Sequence, residues 1–519
     1  MSASPSSSGV SIGGAVASSH YLASEAGREA LIAGGNAIDA AIAAASVLCV
    51  VYPNNVALGG DLVALVRNPE GEIRFVNATG RAASGETLAS LRSRHGERLP
   101  ERGVDTITVP GGVRGWSALA ALGGRLGWND LLRSAHGFAR DGAPVATSLA
   151  RAIRLERAAL GADPGCRALF LPGDSGLQEG ERLSQPALAA TFERLIANGP
   201  DEMYVGETAA KWVAGLHALG SRISAEDAAS YSPVIEEPLR GSGLGYDVIT
   251  APPNTQGFSL LRALRALDGG AISDPLGVGA GMLADVFAAN NRVRSRHLSD
   301  PDFADRTALD LVEMPAPVRT AGDRAATGDT VGLVAVSDDG WAVSLVQSVY
   351  WAFGSAVLEP ETGILFQNRG TSFSLDEGHP AAFGPGRRPP HTLMPVLIER
   401  DGELAFAQAT MGGQAQPQIH ALLLSRLANG ASALEATSAP RWVVGAQDDD
   451  DTPETLTIEA DVTSSARRAL EASDFDVKVV PPRSELLGHS NVIRLLPTGY
   501  DAASDPRSDG SAIVVDPRS

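Results

Sequence analysis

Cysteine is nearly absent: Cys49 and Cys166 are the only two in 519 residues. Two cysteines make no disulfide framework, and their apolar or small neighbours mark them as reduced, buried thiols. Long apolar runs are missing as well. The longest, Ala40 to Val51, falls short of the roughly 20 residues that span a bilayer, and Pro53 follows it. The N-terminus, beginning Met1-Ser2-Ala3-Ser4-Pro5, has neither a basic n-region nor an apolar h-region. No secretory signal is visible, so the reading is a cytoplasmic protein off the membrane. Basic residues are outnumbered, 42 against 61 acidic, for a net charge of −19. Such a field disfavours nucleic acid and anionic lipid as partners. There is no zinc-ligand spacing, phosphate loop or dinucleotide fingerprint, so neither a metal nor an organic cofactor is expected. No solenoid period recurs.

An apolar content of 44% is ample for a large core. Length alone suggests about three domains, although large enzymes often run as one body. Residues 1–10 look like a disordered tail. A helix is expected from about Ser24 to Gly34-Gly35, and Asn36 can cap a second, Ala- and Ile-rich helix through Val51. Leu58-Gly59-Gly60-Asp61 leads into an apolar strand, Leu62 to Val66, where the glycines permit close backbone contact. The middle alternates helical stretches, one of them Gly257 to Leu267, with Gly/Pro breaks. Residues 313–329 read as irregular and exposed. Sheet then takes over: Thr330–Ser337, a turn at Asp338-Asp339-Gly340, and Trp341–Val349 form a hairpin. Further strands are expected at Ile364–Gln367, Leu393–Ile398 and Ala405–Thr410, with a helix over Gln416–Ala428. The aspartates from Asp448 to Asp451 read as a solvated acidic loop.

Thr330 stands where the loose Pro/Gly/Ala stretch ends and the β-branched run begins. Alone it is an ordinary strand-opening threonine. If the chain is cut before it, however, it gains a free α-amine beside its hydroxyl, and one residue carries both a nucleophile and its base.

The surrounding motifs make that reading specific. Gly34-Gly35-Asn36-Ala37-Ile38-Asp39-Ala40-Ala41, then Pro53 through Gly59-Gly60, resembles the opening signature of the γ-glutamyltranspeptidase family. Gly328 to Gly354 resembles its cleavage-site hairpin. Pro385-Gly386-Arg387-Arg388, His391-Thr392-Leu393-Met394-Pro395, Met411-Gly412-Gly413, Gly488-His489-Ser490 and Asp505-Pro506-Arg507-Ser508-Asp509-Gly510 match later motifs, in order, across nearly the whole chain. The resemblance implies an α+β fold, the four-layered αββα sandwich of N-terminal-nucleophile hydrolases. It implies autoproteolysis between Asp329 and Thr330, giving a large subunit 1–329 and a small subunit 330–519 intertwined in one body; a higher oligomer stays open. It also implies that Gly412-Gly413 form the oxyanion hole, and that Ser348, where the family has a threonine, supports the nucleophile. Ser348 could equally serve as a cross-strand pair.

Several positions depart from the family. Its substrate-binding Arg falls at Thr79, with Arg81 two residues on as a candidate substitute. Its Asp for the substrate ammonium falls at Ser372, its paired serines at His391-Thr392, and the threonine after the nucleophile at Val331. A zwitterionic amino-acid head needs a carboxylate for its ammonium, and Ser372 supplies none, which argues against glutathione as substrate. Gln367-Asn368-Arg369 with His391-Thr392 resembles a divergent branch whose members cleave acyl amides such as oxamate or cephalosporin side chains, or hydrolyse carbon–carbon bonds in antibiotic pathways. Arg369 suits a substrate carboxylate, since its planar fork binds one bidentately, and His391 can donate to a substrate oxygen. The leading expectation is an amide hydrolase acting on a small carboxylate-bearing acyl group through a threonyl acyl-enzyme. Carbon–carbon hydrolysis of a keto or enol acid, true γ-glutamyl hydrolysis or transfer, and an uncut metabolite-binding homologue are the alternatives.

Overall fold

The computed structural model describes residues 13–317, 329–448 and 450–516. The N-terminal tail and most of the segment before Asp329 lie outside the described residues. Two sheets face each other. The first orders its seven strands Ser511–Val515, Gly14–Ser18, Asp329–Ser337, Ala342–Tyr350, Asp61–Arg67, Ile73–Ala78 and Val234–Glu236, with every pair antiparallel. The second orders six as Gly499–Ser504, Ser490–Leu496, Glu403–Thr410, Val396–Arg400, Tyr246–Thr250 and Leu239–Gly243. Strands from either side of residue 330 share both sheets, so a cut there would leave the two pieces interlocked.

Side-chain alternation builds the layers. In Asp61–Arg67, Leu62, Ala64 and Val66 pack into the helical layer of Tyr21–Ile32, Ala37–Val51 and Trp128–Asp141, while Val63 and Leu65 point to the second sheet. The Asp329–Ser337 strand divides the same way: Val331, Leu333 and Ala335 face the helices, Val334 and Val336 the opposite sheet. There they meet Ile249, Leu397, Ala407 and Ile493. Beyond the second sheet, Gly257–Asp268, Ala280–His297 and Gln416–Ala428 close the fourth layer. The fold is the expected αββα sandwich.

Local signals hold with small shifts. Asn36 accepts from the amides of Ile38 and Asp39, and Asp39 reaches back to the Asn36 amide, a complete capping box. The first helix starts at Tyr21, earlier than Ser24, because His20 caps it by accepting from the Leu22 amide. The strand expected from Leu393 begins at Val396, after Pro395, whose nitrogen has no proton to donate. Of the expected 364–367 strand, Ile364–Leu365 form a short ladder, Phe366 makes an isolated bridge to Gly59, and Gln367 donates its amide to the Gly59 carbonyl.

The two sheets approach closely at Gly332. A Cβ there would lie 2.6 Å from the Thr410 nitrogen and 2.7 Å from the Ala409 carbonyl carbon. Backbone cannot step aside as a flexible side chain would. Gly332→Ala should therefore cost about 1–3 kcal/mol, read as a lower urea midpoint. An unchanged midpoint would show that the sheets have slack at this point.

Candidate active site

Thr330, Gly332, Val334 and Val336 share the inter-sheet face of their strand, so Thr330 lies at the end of the space between the sheets, fully buried. The partner strand pairs regularly from Ala342↔Val336 to Gln347↔Val331, then shifts register so that Tyr350 opposes Asp329. One extra residue in the partner strand therefore sits opposite Thr330, a β-bulge. The Thr330 hydroxyl donates to Ser348 Oγ at 3.2 Å, and Ser348 Oγ accepts the Tyr350 amide at 2.7 Å. Asn55 Nδ2 donates to the Thr330 carbonyl at 3.1 Å.

Gly412 and Gly413 form the turn between the strand Glu403–Thr410 and the helix Gln416–Ala428. Their φ angles, 145° and 53°, are ones that residues with a Cβ rarely adopt. The Gly332 contact with Ala409 and Thr410 brings this turn to the Thr330 end of the sandwich. Gln256 Nε2 fixes it by donating to the carbonyls of Gly413 (2.8 Å) and Thr392 (2.7 Å).

The expected binding residues divide. Arg369, His391 and Thr392 come together, all buried: Arg369 Nη1 donates to Thr392 Oγ1 at 3.3 Å. His391 Nε2 lies 2.9 Å from Asp61 Oδ2, and Asp61 Oδ1 accepts the Gly80 amide at 2.9 Å. Asp61 is the register partner of Ser348, which links this cluster to Thr330. The Arg369 guanidinium carbon lies 3.6 Å from the centre of the Tyr350 ring. Tyr350 and Ser372 in turn line a cleft of about 100 Å³ with Arg294, Trp351 and His379. Arg81 does not join them. It donates to the Gly386 carbonyl and to Asp302, with Asp300 beyond, and does not replace the cation missing at Thr79. The acidic loop is remote from this chemistry: Asp451 is held by Lys478 at 2.8 Å, and Asp449 lies outside the described residues.

Asp61, Asn55, Gln256, Tyr350 and Arg294 were not singled out from sequence. Two had a signal. Asp61 is a charged residue heading an apolar strand. Arg294 ends a buried helical stripe, Leu283, Phe287, Asn290, Arg294.

A match to the gamma-glutamyltranspeptidase family extends over residues 23–515. The chain belongs to that family. The glutathione hydrolase-like YwrD proenzyme of Bacillus subtilis is 34% identical over 525 residues, 96% of this chain and 98% of its own length. The oxamate amidohydrolase proenzyme of Klebsiella pneumoniae is 34% identical over 529 residues, 98% and 99% of the two chains. The structure of cephalosporin acylase from Bacillus halodurans superposes with a TM-score of 0.88 at 29% identity, over 99% of this chain and 98% of that one. As a γ-glutamyltranspeptidase-family member with these relatives, the protein is a hydrolase of N-terminal-nucleophile type.

Electrostatics set this member's pocket. Burial pushes the Asp61 carboxyl up to about 7, against the pull of Arg369 and the amides of Gly80 and Gly111. Burial holds His391 well below the usual histidine range, and the charges of Arg369 and Arg294 push the same way. His391 is thus neutral at pH 7. Burial lowers Arg369 to about 10, opposed by Tyr350 and Asp61, so it stays a cation.

A carboxyl raised by folding binds its proton more tightly in the native state than in the unfolded chain, where it titrates near 3.9. Asp61 therefore lowers stability as pH rises from about 4 to about 7. Urea midpoints of wild type should fall relative to Asp61→Asn across that window. Parallel profiles for the two proteins would remove Asp61 as the titrating group.

Proposed function

We propose that this protein is a self-processing hydrolase that uses Thr330 to cleave the amide bond of a small acyl group bearing a carboxylate and no ammonium. The observation that carries the reading is the Thr330 hydroxyl, hydrogen-bonded to Ser348 and joined through Asp61 to a pocket in which arginine is the dominant charge.

Maturation begins with Thr330 Oγ attacking the Asp329 carbonyl. The C–N bond breaks as the new C–O bond forms, and the hydroxyl proton ends on the Thr330 nitrogen. Water then hydrolyses the ester, leaving a carboxylate on Asp329 and a free amine on Thr330. In turnover the same oxygen attacks the substrate carbonyl, and the α-amine takes its proton and passes it to the leaving nitrogen. The amides of the Gly412-Gly413 turn stabilise the oxyanion; one such donor is typically worth about 100- to 1000-fold in rate. Water releases the acid from the acyl-enzyme by the reverse use of the amine. Ser348 holds the nucleophile through the 3.2 Å bond.

The substrate class follows from charge. Arg369 and Arg294 are cations in or beside the pocket, and the carboxylate among these groups, Asp61, is engaged by His391 and Gly80 and is half-protonated near neutrality. An ammonium would meet two arginines and no free carboxylate. A carboxylate meets open donors. The oxamate amidohydrolase and cephalosporin acylase relatives act on acyl amides by their names, which agrees with this choice.

Purified wild type should give two fragments, the smaller beginning Thr330-Val331-Gly332, and Thr330→Ala should stay one chain. The mature enzyme should hydrolyse glutaryl-p-nitroanilide at least ten-fold more efficiently, in kcat/KM, than γ-glutamyl-p-nitroanilide, with oxamate and succinamate as further trials. Preference for the γ-glutamyl compound would overturn the substrate class, and an uncut but active wild type would overturn the nucleophile.

A further inference from the structure

Among the described residues six arginines are buried: Arg67, Arg294, Arg369, Arg388, Arg441 and Arg507. Four meet a carboxylate directly. Arg67 pairs with Glu399 at 2.9 Å, Arg388 with Asp300 at 2.8 Å, Arg441 with Asp505 at 2.7 Å, and Arg507 with Glu459 at 2.5 Å. Arg294 and Arg369 have no such partner among the described residues. Taking a guanidinium out of water without a counter-charge is costly, so two neighbouring exceptions call for an anion from outside.

The open groups of Arg369, Arg294, Trp351 and Ser372 can all donate, and the nearby His391 Nδ1 is open as well. Arg369 Nε and Nη2 and Arg294 Nε are buried without a hydrogen-bond partner, and so are Trp351 Nε1 and Ser372 Oγ. Arg294, Trp351 and Ser372 line the same cleft, of about 100 Å³. Arginine and indole nitrogens cannot accept, and a hydroxyl can donate. Their complement is an acceptor-rich anion; carboxylate and phosphate both take arginine forks, and the acyl-amide reading of the site selects the carboxylate. The Arg294 charge is felt at both Arg369 and His391, which places the two cations in one electrostatic neighbourhood.

Tyr350 adjoins both. Its ring lines the cleft on the Arg294 side and stacks on Arg369. Its backbone is held at φ 84°, a costly conformation for a residue with a side chain. Its register partner is Asp329, whose bond to Thr330 is the one proposed to break.

We propose that Arg294 and Arg369 together form a carboxylate clamp that determines substrate specificity, and that Tyr350 divides the clamp until cleavage frees the strand it pairs with. Arg294 is the new member. The proposal rests on the reading of the site given above, and it narrows the substrate to one whose carboxylate reaches both arginines.

Binding of glutarate, with neutral glutaramide as control, tests this by calorimetry without turnover. Mature wild type should bind glutarate and not glutaramide. Arg294→Gln and Arg369→Gln, each cleaved and folded as judged by fragment pattern and melting, should each weaken glutarate at least ten-fold. Uncut Thr330→Ala should bind at least ten-fold more weakly than the mature enzyme. Adding Tyr350→Ala to that uncut chain should restore binding, and adding Arg294→Gln on top should abolish it again. Retention of glutarate affinity within two-fold in Arg294→Gln would overturn the clamp. Equal binding by the cut and uncut chains would overturn the role of Tyr350. An enzyme that binds glutarate through both arginines yet cleaves no carboxylate-bearing amide would sink the proposed reaction and leave the clamp standing.

Discussion

One extra residue in the strand Ala342–Tyr350, opposite Thr330, sets the geometry on which the site depends. A regular ladder would carry the pairing straight through to Asp329. The bulge instead lets Ser348 accept both the Thr330 hydroxyl and the Tyr350 amide. It also bends the strand so that Tyr350 leaves it at φ 84° with its ring over Arg369. Bulges increase local twist and re-aim side chains, and they concentrate at the ends of sheets. Here one irregularity positions the hydroxyl, its acceptor and the aromatic wall of the cleft. The remainder of the sandwich holds that irregularity still. Gly60 packs so closely that a Cβ would lie 2.5 Å from the Ser348 carbonyl oxygen, and Gly332 packs equally tightly against the second sheet.

Charge placement separates scaffold from site. Arg441, Arg507, Glu459 and Asp505 form a buried network in which each charge has an opposite partner. Arg441 also donates to the carbonyls of Leu487 and Gly488, and a Cβ on Gly488 would lie 2.3 Å from the Met411 carbonyl oxygen. That network acts as a brace behind the Gly412-Gly413 turn. Around Arg369 the balance is left open. Asp61, whose charge acts on Arg369, is raised by burial and engaged by His391, so a net positive potential remains among the described residues. Buried ion pairs stabilise only when complete. Among the described residues four buried arginines are completed by a carboxylate and two are not, which spends stability where a ligand can return it.

Elements governed by local chemistry were legible in the sequence. Asn36 with Asp39, the Asp338-Asp339-Gly340 turn and the helix Gln416–Ala428 each depend on residues a few positions apart. The layered fold was legible through family motifs spread along the chain. The pocket was legible only in part: Arg369, His391 and Thr392 lie close in sequence and do meet. Asp61 and Arg294 escaped because their significance is a matter of long-range partnership. Asp61 takes its role from His391, 330 positions away, and Arg294 from having no salt-bridged carboxylate among the described residues. Arg81 misled for the same reason: its distance in sequence from Thr79 was small, but Asp302 and the Gly386 carbonyl, both far along the chain, captured its guanidinium.

These placements amount to a change of polarity on a conserved frame. At the position where the resemblance calls for an acid, Ser372 carries no charge; where it calls for a cation, Thr79 donates to Asn77 Oδ1 at 2.7 Å. The cations have moved to Arg369, on a short helical turn after the hairpin, and to Arg294, on a helix of the outer layer. Under the proposed reading, supplying the cations from Arg294 and Arg369, more than two hundred positions along the chain from Thr79, keeps recognition of a carboxylate while changing the elements that provide it. Loss of the acid removes the reason to prefer an amino-acid head. A scaffold that can exchange these groups without disturbing the bulge, the Gly332 contact or the glycine turn can keep one hydrolytic mechanism and change what it reads.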